Sequence, residues 1–107
     1  MHDVQSPEEK AWRVIAADIE KRFGVTANDL RSKRRTTEIA RVRAVAIALA
    51  YDMIRTTTQR GIAAMFGRSV AVVNYSIAMV NADKVLLKLH HEIKRGIEHD
   101  DAFRPVR

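Results

Sequence analysis

Cysteine is absent from this chain of 107 residues, proline occurs twice, and aromatic residues make up 6% of it. Without thiols neither a disulfide framework nor a thiolate metal site can form, and a reducing compartment is permitted. The scarce aromatics leave Tyr51 and Tyr75 isolated, so no stacking platform for single-stranded RNA is visible. The longest nearly uncharged stretch, Ala44 to Ala50, falls far short of the roughly 20 residues that a membrane span requires. Met1-His2-Asp3-Val4-Gln5 offers neither a basic n-region nor an apolar h-region, so no secretory signal is expected. There is no strand-type alternation, internal repeat or low-complexity tract, which leaves an all-α reading.

Catalytic and metal constellations are missing as well. His90 and His91 are adjacent, so on a helix they point about 100° apart and cannot chelate one ion from one face. Asp52, Glu92, Glu98 and the other carboxylates form no spaced set with a nucleophile or a base, and the chain is read as a non-enzyme without cofactor or metal.

The chain is rich in positive charge and in helical periodicity. Nineteen Lys and Arg face thirteen Asp and Glu, a net charge of +6 that favours polyanionic partners, nucleic acid first. The length suits one compact domain with a single core, set here at residues 1–98, with 99–107 as an aperiodic, flexible tail. Ser6-Pro7-Glu8-Glu9 starts the first helix: Ser6 caps, Pro7 fits the first position and Glu9 completes a capping box. Trp12, Ile15, Ala16, Ile19 and Phe23 recur at spacings of three and four, making Trp12 a core anchor before Gly24 ends the helix.

A short second helix begins at Thr26 with Asp29 as its capping partner and Leu30 as its apolar contact. Thr36 or Thr37 caps a third, with Ile39, Val42, Ala46, Leu49 and Met53 on its inner face, ending near Arg55. Thr58 caps a fourth that stops at Phe66-Gly67, and Ser69 caps a fifth running through Val80. After a cap or kink at Asn81-Ala82-Asp83, Val85, Leu86, Leu89, Ile93 and Ile97 define a last helix that closes the core. Five to six helices are expected in all.

Two features bear on function. Residues 31 to 43 hold Arg31, Lys33, Arg34, Arg35, Arg41 and Arg43 against the single acid Glu38. The run from Thr58 to Ser69 then supplies the helix, glycine turn and new helix start of a helix-turn-helix. A basic arm feeding a reading helix points to duplex DNA. Lys33, Arg34, Arg35, Arg41 and Arg43 would neutralise phosphates, and the N-terminus of the fifth helix would add backbone N–H donors. Base reading would fall to Arg68, Ser69 and Asn74, with Gln59 or Arg60 beside them; Asn74 can pair adenine if it faces the groove.

Asp29-Leu30-Arg31-Ser32-Lys33-Arg34-Arg35, Ile39-Ala40-Arg41-Val42-Arg43 and Ala46-Ile47-Ala48-Leu49-Ala50 resemble the C-terminal DNA-binding domain (domain IV) of the bacterial replication initiator DnaA. Phe23-Gly24-Val25 precedes them and Phe66-Gly67-Arg68 follows in register, so the resemblance runs from about Val14 to Val80. It implies a Trp-repressor-like helical domain whose helix-turn-helix enters the major groove. It also implies an arginine from Arg41-Val42-Arg43 in the adjacent minor groove and a basic loop along phosphates. The family's intervening proline is Val42 here. The family signature Gly-Gly-Arg-Asp-His-Ser/Thr-Thr-Val is replaced by Gly67-Arg68-Ser69-Val70-Ala71-Val72-Val73, aligned with one glycine deleted. Valine and alanine neither donate nor accept at a base edge, so the initiator's box should not be read with the family's specificity.

No Gly-x-x-x-x-Gly-Lys-Ser/Thr phosphate loop occurs in the chain, so the initiator's ATPase chemistry is not expected of it. The reading at this point is a stand-alone bacterial or phage regulator of replication or transcription, cytoplasmic and nucleoid-associated. The alternative is a protein-interaction or dimerisation module, because Val70, Val72 and Val73 at a helix start also suit a protein groove or a second copy. The target sequence, the process and the oligomeric state are not legible.

Overall fold

A computed structural model describes residues 7–33, 36–54 and 58–98; the side chains of Pro7 and Glu8 are also outside the description. Six helices follow in order: α1 (Pro7–Phe23), α2 (Ala27–Arg31), α3 (Thr37–Met53), α4 (Gln59–Phe66), α5 (Val70–Ala82) and α6 (Lys84–Glu98). No strand occurs among the described residues, and the fold is all-α with a helix-turn-helix. The cap expected at Ser6 and the tail 99–107 lie outside the described residues.

The starts that can be checked lie where local chemistry puts them. Thr26 accepts from the Asp29 N–H at 3.1 Å while Asp29 Oδ2 accepts from the Thr26 N–H at 3.0 Å, a reciprocal capping box. Of the two candidates for α3, Thr36 is the cap, accepting from Ile39 N–H. Asp83, in extended conformation, breaks α5 from α6 and accepts from the Val85 and Leu86 N–H groups at 2.9 and 3.1 Å. α3 stops at Met53 instead of near Arg55, with Ile54 as an extended C-cap. α5 runs to Ala82, beyond the Val80 expected.

The architecture is organised around α3, against which every other helix packs. Here the structure departs from the single inner face read from periodicity: every residue from Val42 to Ala50 is buried. A helix flanked on all sides has no solvent face to keep polar, and its alanines allow close approach. Around it sit Ile15 and Ile19 from α1, Leu30 from α2, Ile62 and Phe66 from α4, Val73 and Val80 from α5, and Ile93 from α6, all fully buried. Trp12 meets Phe66 edge-to-face with ring centroids 4.9 Å apart, tying α1 to α4. Such a pair is worth about 0.5–1.5 kcal/mol beyond its buried area. The tryptophan is a core anchor, as its position on the α1 stripe predicts. Among the described residues no single helix is long and apolar enough to cross a membrane.

Candidate nucleic-acid interface

α4 and α5 are joined through a tight corner that each local residue specifies. Thr58 caps α4 by accepting from Gly61 N–H at 3.1 Å. At the other end Gly67 takes φ 64°, ψ 38°, a left-handed conformation that side chains disfavour, and Arg68 N–H returns to Ala63 O at 2.8 Å. Ser69 then restarts the chain by accepting from Val72 N–H at 3.3 Å. The axes of α4 and α5 meet at 99°, within the range of helix-turn-helix corners.

Three arginines meet at the end of α2 through backbone carbonyls: Arg31 and Arg68 tie it to this corner, and Arg43 ties it to α3. Arg43, rooted in the buried α3, donates Nε to Leu30 O at 2.8 Å and Nη2 to Asp29 O and Ser32 O, each at 3.1 Å. Arg68, in the corner, donates to Phe66 O, Gly67 O and Arg31 O at 3.2, 3.3 and 3.5 Å and also to Ser32 O. Arg31 runs the opposite way, donating Nε to Met65 O at 2.9 Å, with its guanidinium 4.6 Å from the Trp12 ring centroid. Carbonyls at helix C-termini carry partial negative charge, so cations are favoured there. The planar fork of arginine, with five donors, can serve several carbonyls at once. Arg31 and Ser32, just before Lys33, are thereby tied to the helix-turn-helix corner.

The basic residues expected to form one arm therefore divide. Lys33 and Arg41 are exposed, as are Arg60, Ser69 and Asn74. Gln59 and Arg68 are half-buried. Arg34 and Arg35 lie outside the described residues. Arg43 departs from the phosphate role expected of it: the residue is 7% exposed and its guanidinium is turned inward onto carbonyls. It lies in the buried stretch of α3 from Val42 to Ala50. Arg68 and Ser69 are likewise engaged within the fold, the first with carbonyls and the second as the α5 cap.

The family model for the bacterial DnaA protein helix-turn-helix matches residues 13–80. The chain belongs to this family. Its DnaA-type core thus extends from α1 through α5, while α6 lies beyond the matched span. Membership makes this a DNA-binding helix-turn-helix domain, and α4, the Gly67 corner and α5 lie within the matched span. No curated protein and no solved structure matches the chain.

Sequence reasoning missed Tyr75, which is 68% exposed on α5. A usable signal was present. With Ser69 as cap and Val73, Ser76 and Val80 facing inward, helical periodicity turns Ala71, Asn74, Tyr75 and Ala78 outward together. Among the described residues no group of three or more metal-ligating side chains comes together.

Proposed function

We propose that this chain binds duplex DNA with α5 in the major groove, holding flanking phosphates with Lys33 and Arg41, and with Arg60 from α4. Arg34 and Arg35, next to Lys33 in the sequence, belong to the same set by sequence alone. The observation that supports this reading most is the Arg68 bond to Ser32 O, which ties the residue before the exposed Lys33 to the corner of a DnaA-type motif. Arg43 and Arg68 act here as positioning residues, holding loop and corner in register without touching DNA themselves. Ser69 to Val72 stand where the family has hydrogen-bonding readers, so the initiator's own box is not preferred. In biological terms this is a bacterial or phage regulator of replication or transcription, acting at the nucleoid.

Fluorescence anisotropy across a salt series tests the arm. Arg41→Ala should weaken binding to every duplex alike and lower the slope of log K against log salt by about 0.9, the value for one lost phosphate contact. An unchanged slope refutes the arm.

One observation supports a second reading as an interface between copies: Val70 and Val72, each 37% exposed, and Tyr75, 68% exposed, are large apolar side chains left uncovered on α5. Light scattering decides it, because an interface there makes an oligomer that Val70→Asp dissolves, whereas a reading helix leaves the chain monomeric without DNA.

A further inference from the structure

We infer that α5 reads A·T base pairs, through thymine methyl groups and adenine, with Asn74 and Tyr75 as its specificity-determining side chains. The inference rests on α5 occupying the major groove, as proposed above, and adds what it recognises there.

The first support is a chemical inventory. From Val70 to Ala82 the helix contains no arginine, lysine, aspartate or glutamate. Guanine is read in the major groove mainly by the paired donors of Arg or Lys on O6 and N7, and cytosine N4 donates to a carboxylate. α5 has neither tool. The guanidinium of Arg68, two residues before the helix, is occupied by the carbonyls of Arg31, Ser32, Phe66 and Gly67. Arg60 lies on α4, the helix that crosses the DNA backbone in this geometry.

The second support is what the helix presents. Its outward surface begins with Val70 and Ala71 and continues one turn on with Asn74 and Tyr75, all exposed, then Ala78. Residues four apart lie above one another on a helix, so Val70 shares a stripe with Asn74, and Ala71 shares the next with Tyr75. Small apolar side chains fit the C5-methyl of thymine, and the amide of asparagine matches the donor and acceptor of adenine N6 and N7. Tyr75 brings a ring edge for a further methyl group and a hydroxyl. Because Ala71 and Ala78 flank it with almost no bulk, the groove floor can approach this stripe closely. Reading is thereby moved one turn into the helix, away from the capped first turn.

Selection of bound duplexes from a randomised pool, followed by affinity measurement on the enriched sequence, tests the inference. The enriched site should be dominated by A·T pairs. Replacing its thymines by deoxyuridine, which removes only the methyl groups, should weaken binding about fourfold for each methyl that α5 buries. Asn74→Ala should relax preference at one adenine position by at least about fivefold. Tyr75→Ala should abolish the uridine effect at one position, with both variants melting like the parent chain. A G·C-dominated site, an enriched site indifferent to uridine, or salt-sensitive binding without enrichment overturns this inference and leaves the DNA-binding proposal standing. Absence of binding to any duplex at low salt overturns both.

Discussion

Replacing Arg43 by methionine separates a structural arginine from a DNA-contacting one. The substitution keeps an unbranched aliphatic stem in the buried site and removes the charge and every donor. Three of the hydrogen bonds lost run from a charged group to carbonyls at 2.8 to 3.1 Å. Such bonds contribute about 1.5–3 kcal/mol each when taken singly. They share one guanidinium, so they do not add, and the Asp29 and Ser32 carbonyls belong to half-buried residues that water can reach. The net loss should be about 2–4 kcal/mol, a large share of a small domain's roughly 5–15 kcal/mol. A domain of this size loses about 4–8 °C of Tm per kcal/mol, so thermal denaturation should show a fall of about 10–25 °C. Arg41→Met, two residues away on the exposed side of α3, should melt within about 0.5 kcal/mol of the parent yet bind DNA less tightly. If Arg43→Met leaves Tm within 3 °C, taken as about the precision of the comparison, and loses DNA affinity as Arg41→Met does, Arg43 is a phosphate ligand and the carbonyl junction described here is wrong.

Gly67→Ala probes the corner: an added Cβ would meet nothing within 4 Å, so the cost is that of φ 64° alone, about 1–2 kcal/mol by chemical denaturation. A loss above about 4 kcal/mol would mean that the corner also depends on close packing. Thermal melts against pH probe His90, which is 7% exposed and has its Nε2 3.6 Å from Asp52 Oδ2. Burial lowers its pKa below the usual 6.5, against the pull of Asp52 and of the Ala48 backbone and with help from His91 and Lys94. The unfolded chain therefore takes up this proton first as pH falls. Stability should be full above pH 6.5 and decline below it until the folded-state pKa is passed, and His90→Leu should remove that part of the decline. A decline unchanged in His90→Leu would assign it to other groups.

The sequence by itself determined the helices and the motif. Thr26 with Asp29, Thr58, Gly67 and Ser69 are local devices whose hydrogen bonds span three or four residues, so their meaning is complete within a short window. The outward position of Tyr75 on α5 follows from the same local periodicity, although it was not read from it. What only the tertiary structure decided is the fate of the arginines. Arg41 and Arg43 look alike in the sequence, two positions apart on one helix, yet one faces solvent and the other is turned onto carbonyls of residues 29, 30 and 32. Arg68 reaches across to Ser32 and Arg31 to Met65, contacts more than thirty positions distant along the chain. No periodicity records such pairings, since a guanidinium satisfies water, phosphate or carbonyl equally well. The choice falls to the burial of the stretch from Val42 to Ala50, which removes most water from Arg43 and leaves backbone carbonyls as its partners.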